Sequence, residues 1–479
     1  MTRRSVAVPL CDENLRRLPA DVSIPTYDRR GLRPGVVHMS VGSFHRSHQA
    51  VYFDDLARQG EQGFGIVGVG LRRPRLRAAL SPQDGLYTVV ARDAGADQAR
   101  VVGAMTRYLF APEDREAALR ALADDSTAVV SLTITAGAYE PGAVRPSCAI
   151  DYLVEALRRR RRAGRAPFTV LSCDNLPGNG AVARAAVVSH AERADDGLAR
   201  WIDEHVAFPN SMVDRITPRT TLADREKVAR DFGVLDRWPV VTEPYSQWVV
   251  EDRFCNRRPP LDRVGVQFVS DVTPYALTKT RLLNATHCAI GFLGSLAGLS
   301  RADEVMGEPV FAGYVERFMN GEVAPLLPRV PSIELPSYTR TLIDRLGNPK
   351  IGDELERLCR AGSSKVPSHV LPSIAQARAR GTDCGLLTMA VAGWFRYLRG
   401  TDEQGGRLAL EDPIAGRLRQ AAVGGGTDPR PLIAASGGFG ELADDPIFVT
   451  QLSECLEAID RQGVRGALAS RLGEDRIAA

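Results

Sequence analysis

The chain has 479 residues, of which 44% are hydrophobic and 25% are charged, so it has the composition of an ordinary folded protein and is too long for one compact core. Its net charge of +3 at pH 7 is small, which argues against a general nucleic-acid-binding protein. The eight cysteines are scattered, which favours a reducing cytoplasm. We find no apolar signal core near the start and no apolar run of membrane length, so we expect a cytoplasmic protein without a membrane segment.

The first half of the chain alternates between strand-like and helix-like segments. After a polar lead-in, "GVVHMSVGSFHRSHQAVYFDDLARQG" predicts a strand, a tight turn and a helix. Buried strands are predicted in "GFGIVGVGL", "STAVVSLTITAGAY" and "APFTVLSCDNLPGNG", with helices in "AIDYLVEALRRRRRAG" and "NGAVARAAVVSHAERAD". This alternation predicts an α/β fold, with a Rossmann-like doubly wound parallel sheet in an N-terminal domain of residues 1–272.

The second half of the chain carries mainly helical patterns. They include "LLNATHCAIGFLGSLAGL", "PVFAGYVERFMN", "CGLLTMAVAGWFRYLRG" and "DPIFVTQLSECLEAIDRQG". We therefore predict a mostly α-helical C-terminal domain of residues 273–479. The stretch "TPYALTKTRLLNATHC" opens this domain, and clefts at domain boundaries are common sites for small ligands.

The turn after the first predicted strand is the candidate dinucleotide site. A Rossmann unit needs glycine there for a tight turn and for close approach to the pyrophosphate, and Gly42 can supply it. Ser40 and Ser43 interrupt the full G-x-G-x-x-G pattern, so an ordinary strand-to-helix turn stays open. Arg46 can pair with a phosphate. We expect no metal here, because His45 and His48 are not followed by a third ligand at suitable spacing.

The segment after the second predicted strand bears on the choice between NAD and NADP. An acidic residue there holds the ribose 2′-hydroxyl of NAD, whereas an arginine suits a 2′-phosphate. This chain has Arg72, Arg73, Arg75 and Arg77 and no acid. The arginines indicate either a solvated helix start or tolerance of NADP.

Three polar residues near the domain boundary suit alcohol–ketone chemistry without a metal. With about 100° per residue, Asn284 lies roughly 60° and Lys279 roughly 80° from His287 around a helix. A lysine can take the hydroxyl proton, an amide can stabilise the alkoxide and an imidazole can orient the substrate. A structural alternative is that the buried amide and imidazole satisfy each other.

A second amide follows a buried strand. Asn175, in "SCDNLPGNG", lies at the carboxyl end of the predicted strand, where doubly wound sheets bind ligands. It is a candidate donor, with a turn-forming asparagine as the alternative. The pair Asn179-Gly180 is interpreted only as a turn signal.

Seven blocks in order along nearly the whole chain resemble the mannitol dehydrogenase family of zinc-independent polyol dehydrogenases and hexuronate reductases. The blocks are "VGSFHRSHQAVYFDDL", "SLTITAGAY", "FTVLSCDNLPGNGAV", "FPNSMVDRITP", "VTEPYSQWVVEDRF", "KTRLLNATH" and "LERLCRAGSSKVPSHVLP". The chain looks most like the branch that interconverts D-mannitol and D-fructose. The resemblance implies an NAD(P)-dependent polyol 2-dehydrogenase, a small-molecule substrate and a monomer.

The resemblance also implies roles for residues at matching positions. Lys279 matches the catalytic acid/base, and His287 matches the histidine that positions the substrate. The two amides of the oxyanion hole match Asn175 and Asn284. Arg357 and Lys365 match basic residues that contact the polyol oxygens, and Asp214 matches an acidic residue that lines the nicotinamide side. The cofactor loop matches Val41, Gly42, Ser43, Phe44, His45 and Arg46, with Arg75 near the adenosine ribose.

The chain departs from the family pattern at positions that bear on proton exit. Glutamates that are common in the family are replaced by Ala136 and Ala276, so the proton route from the lysine and the pH profile are open. The pattern Tyr275-x-x-x-Lys279, which short-chain dehydrogenases use, is interpreted as coincidental because it lies outside the predicted Rossmann domain. A hexuronate reductase and a dinucleotide-binding protein without turnover remain as rival functions.

Overall fold

A computed structural model describes residues 7–72, 74–140 and 148–473, so Arg73 lies outside the described residues. Its contacts divide the chain into two compact units, Met1–Thr273 and Pro274–Ala479. The following bounds refer to the described residues.

In the first unit the strands are Val8–Pro9, Val22–Ser23, Pro34–Met39, Gly65–Gly70, Tyr87–Ala91, Gln98–Val102, Met105–Phe110, Val129–Leu132, Thr169–Ser172, Ser211–Asp214, Val234–Leu235, Val240–Thr242, Gln247–Glu251 and Gln267–Val269. The α-helices are Ser43–Ser47, Gln49–Arg58, Arg75–Leu80, Arg115–Ala123, Ala149–Arg162, Asn179–Glu192, Asp196–His205 and Leu222–Phe232. Short 3-10 turns occupy Asp12–Arg17, Arg29–Gly31, Ser81–Gln83, Ala136–Ala138 and Leu261–Val264.

Five parallel strands form the main sheet of the first unit. From edge to edge they are Met105–Phe110, Gly65–Gly70, Pro34–Met39, Val129–Leu132 and Thr169–Ser172. Counted along the chain, this order is 3-2-1-4-5, as in a Rossmann fold. Side chains alternate between two cores: Val37 packs in one and Val36 in the other. Helices on both faces explain why the strands are apolar throughout, and the predicted fold is confirmed.

Three smaller sheets among the described residues were not anticipated from the sequence. One contains Val240–Thr242, Tyr87–Ala91, Gln98–Val102 and Val22–Ser23 in that order, and another contains Ser211–Asp214, Gln247–Glu251 and Gln267–Val269. The third pairs Val8–Pro9 with Val234–Leu235. Their strands are short and come from distant parts of the chain. Pairing of this kind depends on tertiary contacts, which local periodicity does not encode.

Three buried histidines lie where the first strand of the main sheet meets its helix. The ring nitrogens of His38 contact Ser131 Oγ at 2.8 Å and Thr133 Oγ1 at 3.0 Å, and the ring stacks on His45 with centroids 3.4 Å apart. Neither ring nitrogen of His45 has a hydrogen-bond partner among the described residues. Burial lowers the pKa of His38 and of His48 to about 3, and it lowers the pKa of His45 well below its usual value. All three rings are therefore neutral at pH 7.

In the second unit the α-helices are Thr273–Lys279, whose first residue still belongs to the first unit, Ala285–Leu296, Ala302–Met306, Pro309–Arg317, Leu335–Leu346, Leu355–Cys359, Gly362–His369, Leu371–Arg380, Gly385–Tyr397, Ala415–Gly425, Arg430–Ser436 and Pro446–Leu472. Two π-helical turns, Thr280–Asn284 and Phe318–Val323, and two 3-10 turns, Ala324–Leu326 and Gly440–Ala443, complete it. The mostly helical character agrees with the prediction.

The helix Ala285–Leu296 forms the centre of this unit. Every residue of the helix is buried except His287, which is half-buried. It packs against Gly385–Tyr397, and the approach is close, because a Cβ at Gly393 would lie 2.6 Å from the Leu293 side chain. The buried helix thus holds its first turn in a fixed position. Within residues 7–72, 74–140 and 148–473, no helix is long and apolar enough to cross a membrane.

The buried histidines predict acid sensitivity. As the pH falls below the ordinary histidine value of 6.5, the unfolded chain binds protons that these rings do not bind when folded, so the free energy of unfolding falls. Each neutral histidine contributes a slope of about 1.4 kcal/mol per pH unit. His45→Phe should remove one such contribution and give a shallower slope, measured by urea unfolding between about pH 6 and 4.

His205→Asn is the matched control, because His205 is an exposed residue whose ring nitrogen contacts the Trp201 carbonyl at 3.0 Å and whose ring stacks on Trp201. Its slope should equal that of the unmodified protein. An unchanged slope in His45→Phe would contradict the prediction.

Candidate active site

The turn after the first strand of the main sheet has the geometry of a dinucleotide loop. It lies at the carboxyl edge between the first and fourth strands, where the strand order reverses and where such sheets bind ligands. Ser40 has φ 70°, a left-handed conformation that favours glycine, and its carbonyl accepts a bond of 3.0 Å from Thr133 Oγ1. A Cβ at Gly42 would meet only the Ser40 carbonyl oxygen, at 3.9 Å, so the space above the turn is open. The residues present therefore fit a dinucleotide.

Two side chains of this turn face inward. The Arg46 side chain is 1% exposed, its guanidinium donates to the Trp238 carbonyl, and it lies 5.2 Å from the centre of the Tyr87 ring. His45 is buried in the histidine stack. Burial leaves the guanidinium no open path to a phosphate, so the geometry does not support the predicted Arg46–phosphate pair. Val41, Gly42, Ser43 and Phe44 are half-buried and remain accessible to a ligand.

The arginines after the second strand differ in their surroundings. Arg77 forms an ion pair with Glu113. Arg72 and Arg75 are exposed, and neither has an ion-pair partner within the part of the chain that the structure describes. Arg75 begins the helix Arg75–Leu80. These two cations are available to a ligand, whereas Arg77 is neutralised.

A buried carboxylate fixes the backbone beside Asn175. Asn175 is exposed, and Asp174 before it is 8% exposed. The Asp174 carboxylate accepts bonds from the N–H groups of Ile134 and Thr135, at 3.0 and 2.8 Å, and from the Tyr139 hydroxyl at 2.7 Å. Thr135 has φ 72° and ψ 156°, a region almost restricted to glycine. Asp174 thus joins the ends of the fourth and fifth strands and holds a strained loop.

Asn179 is a buried bridge, so its interpretation as only a turn signal was wrong. Its Nδ2 donates to the carbonyls of Asp174 and Ser211, each at 2.9 Å, and its Oδ1 accepts from Ser211 N at 2.9 Å. The amide thereby ties the fifth strand of the main sheet to the strand Ser211–Asp214. Asp214, at the end of that strand, is buried.

In the second unit, a π turn lies between Lys279 and Asn284. A turn closed by i→i+5 bonds accommodates about one residue more than an α turn. With uniform α geometry, Lys279, Asn284 and His287 would span about 140° around the helix axis. The extra residue of the π turn rotates Lys279 by about 100° around that axis, so the three side chains fall within about 60°. The trio therefore lies on a narrower face than the sequence indicated.

The trio includes buried polar atoms that lack partners. Lys279 and Asn284 are each 8% exposed. Among the described residues, Asn284 Nδ2 and His287 Nε2 have no hydrogen-bond partner. The sequence alternative, in which the amide and imidazole satisfy each other, does not hold for these two atoms. Each buried polar group without a hydrogen bond lowers the free energy of unfolding by about 1–3 kcal/mol, and a hydroxyl-bearing ligand would supply the missing bonds.

Several cations surround His287. Burial, and then the charges of Arg357, Lys279, Arg345 and Lys365, lower the pKa of His287 well below its usual value, so the ring is neutral. Arg345 is buried and was not anticipated from the sequence, because nothing in its local pattern distinguishes it.

The two predicted polyol contacts are held by other groups of the second unit. Arg357 Nε donates to Asp353 Oδ1 at 2.6 Å, and Lys365 Nζ donates to the Leu358 carbonyl at 3.0 Å. Burial and then the nearby Arg357 charge, partly offset by two cysteines, lower the pKa of Lys365. His369, four residues beyond Lys365, was also missed, although the helical spacing was visible in the sequence.

The tyrosine of the Y-x-x-x-K pattern is engaged elsewhere. Tyr275 is buried, and its hydroxyl accepts a bond of 3.0 Å from Ser332 Oγ. Within the described ranges, no group of three or more His, Cys, Asp or Glu side chains could hold a metal ion.

Comparison with known proteins matches both halves of the chain to one family. The family model of the mannitol dehydrogenase Rossmann domain matches residues 34–263, and that of the mannitol dehydrogenase C-terminal domain matches residues 271–460. A mannitol 2-dehydrogenase of Phaeosphaeria nodorum is 42% identical, and the alignment covers 96% of this chain and 85% of that protein. A mannitol 2-dehydrogenase of Aspergillus clavatus is also 42% identical, with coverage of 92% and 94%.

Solved structures agree with this assignment. The ternary complex of Pseudomonas fluorescens mannitol 2-dehydrogenase with NAD and D-mannitol has 38% identity and a TM-score of 0.89, and the match covers 98% of this chain and 100% of that one. A substrate-free D-sorbitol dehydrogenase has 34% identity and a TM-score of 0.87, with coverage of 96% and 100%. The resemblance seen in the sequence is thus confirmed, and the chain belongs to the mannitol dehydrogenase family.

Proposed function

We propose that this protein is an NAD(P)-dependent polyol 2-dehydrogenase that interconverts a hexitol such as D-mannitol with a ketose such as D-fructose. The observation that carries the proposal is the narrow polar face of the second unit. There Lys279 lies on one side of the helix with Asn284 Nδ2 and His287 Nε2, two polar atoms that have no hydrogen-bond partner among the residues that the structure describes. The relatives named for mannitol oxidation support the same substrate class.

In the proposed reaction, the Lys279 amine takes the hydroxyl proton of the polyol. A lysine can act as a base where burial or a nearby cation favours its neutral form, and Lys279 is 8% exposed. The Asn284 amide donates to the developing alkoxide. For Asn175, which belongs to the first unit, we propose the role of a further hydrogen-bond donor at the carboxyl end of the fifth strand. Neutral His287 orients the substrate through its unpartnered nitrogen.

We assign cofactor binding to the first unit, within residues 1–272, and substrate chemistry to residues 273–479. The cofactor, when bound, accepts hydride from the carbinol carbon. The backbone of Val41–Arg46 would hold the pyrophosphate, Asp214 the nicotinamide side and Arg75 the ribose region. Exposed Arg75 supports use of NADP beside NAD. We further propose a cytoplasmic monomer.

A hexuronate reductase is the second candidate, and Arg345 favours it. A carboxylate substrate requires a cation beyond those that contact hydroxyl groups, and Arg345 adds one to Arg357 and Lys365 around His287. The same scaffold without turnover is the third candidate, motivated by Ala136 and Ala276. The polar trio of Lys279, Asn284 and His287 argues against it.

Lys279→Ala tests the function and the base together. We expect fructose reduction by the unmodified protein, followed by NADH and NADPH absorbance, and a loss of about 10²–10⁴-fold in kcat for the variant. Cofactor binding, measured by fluorescence titration, should be retained. Turnover of fructuronate alone would favour the reductase, whereas near-normal activity of the variant would reject the lysine assignment.

Asp174→Asn tests whether the carboxylate positions Asn175. The substituted amide presents N–H groups to donors, so we expect kcat for fructose reduction to fall about 10-fold and the free energy of unfolding to fall about 1–3 kcal/mol. KM and cofactor affinity should change little, which separates positioning from general damage. Asp195→Asn, the same change at a half-buried helix cap, should leave kcat unchanged. An unaltered kcat in Asp174→Asn would remove the positioning role.

Arg75→Asp tests cofactor choice. Reversing this charge should weaken NADPH binding relative to NADH by about 10-fold, because a charge-assisted hydrogen bond contributes about 1.5–3 kcal/mol. The measurement is the ratio of the two dissociation constants by fluorescence titration. Arg162→Asp makes the same change at an exposed helix end and should leave the ratio unaltered. A constant ratio in both variants would mean that Arg75 only faces solvent.

A further inference from the structure

Polyol oxidation leaves one proton on Lys279 in every turnover, and that proton must reach bulk water. This requirement rests on the function proposed above. The helix that carries Lys279 provides no carboxylate one turn earlier, because that position is Ala276. Arg345 and Arg357 cannot accept a further proton, since guanidinium groups stay protonated. Two imidazoles of the second unit, His287 and His369, have pKa values lowered by burial and by the charge of Lys279, so their neutral rings can accept a proton.

His369 is placed to receive the proton. It ends the helix Gly362–His369, which packs against the π turn Thr280–Asn284 that directly follows Lys279. Lys365 lies four residues earlier, so the two side chains share one helix face. Burial, followed by the charges of Lys279 and Lys365, lowers the pKa of His369 to about 4, which agrees with its closeness to both amines. The ring is consequently neutral, and able to accept a proton, at pH 7.

The contacts of His369 also lead to solvent. Its Nδ1 lies 3.2 Å from the hydroxyl of Ser368, which is exposed. The Ser368 hydroxyl donates to the Ser364 carbonyl at 2.7 Å, so its oxygen is left to accept a hydrogen bond from Nδ1–H of His369. With the ring hydrogen on Nδ1, the acceptor lone pair is on Nε2. One nitrogen can take a proton while the other releases one towards water.

His287, the other imidazole near Lys279, is less suited to this task. It belongs to the central helix, its Nε2 is buried, and four cations, Lys279, Arg345, Arg357 and Lys365, act on it. Protonation of His287 would add a fifth positive charge to these four, and like-charge repulsion strongly opposes it. His369 is half-buried and is linked to the surface through Ser368.

We propose that His369 carries the proton of polyol oxidation from Lys279 to bulk water. An N–H bond of the Lys279 ammonium breaks and a bond to Nε2 of His369 forms, directly or through a bridging water. The amine becomes neutral and the ring becomes an imidazolium. The imidazolium then loses the Nδ1 proton to water beside Ser368 and returns to the neutral state after tautomer exchange. One proton moves outward, and no electrons are transferred.

His369→Asn tests the relay, because the Asn amide keeps a donor near Ser368 and cannot carry a proton. In weak buffer we expect kcat for mannitol oxidation to fall about 10-fold, below the usual range for direct acid–base groups, because the relay acts after the chemical step. Added imidazole should restore most of the rate by replacing the missing acceptor. A pH indicator in stopped flow should show proton release lagging behind NADH formation in the variant alone.

Ser364→Ala, an exposed hydroxyl on the same helix, is the matched control and should behave as the unmodified protein. Should His369→Asn fold poorly, as judged by its melting temperature, His369→Gln replaces it. A normal rate without buffer dependence, or a low rate that imidazole does not restore, would overturn the relay. If the unmodified protein oxidises polyols and Lys279→Ala does not, the proposed function stands whatever happens to the relay. If the unmodified protein oxidises no polyol, both fail.

Discussion

The π turn Thr280–Asn284 is the local constraint on which the polar face of the second unit depends. Its extra residue rotates Lys279 onto the side of Asn284 and His287, which ordinary α geometry would spread over a wide arc. Such a turn gives up regular hydrogen bonding, and it is stable here because the next helix, Ala285–Leu296, is buried on nearly every side. Packing therefore supports a local irregularity on which the proposed site depends.

In the first unit a buried group also holds an irregular stretch of backbone, and here the group is a carboxylate and not a helix. Asp174 binds two backbone N–H groups and a tyrosine hydroxyl, and it holds Thr135 in a conformation that a threonine rarely adopts. Strain of this kind persists only where the surroundings over-determine it. The exposed Asn175 thus extends from a rigid backbone, which is the condition for a preorganised hydrogen-bond donor.

Charge links the proposed base to its surroundings. Four cations lower the pKa of His287, and two of them, Lys279 and Lys365, also lower the pKa of His369. Burial and nearby positive charges disfavour protonation of an imidazole, so both rings are neutral and can accept a proton. The same positive charge is compatible with an anionic substrate, which is why Arg345 bears on the choice between a polyol and a hexuronate.

The sequence alone determined the α/β first half, the helical second half and the family, because strand and helix periodicities and the block around Lys279 are local in the chain. Only the tertiary structure showed that Arg46 turns into the core, that Asn179 bridges two strands, and that Arg345 and His369 join the polar site. The physical reason is that burial, partnership and charge environment arise from residues far apart in sequence. The π turn, too, is stabilised by packing and leaves no pattern in the letters themselves.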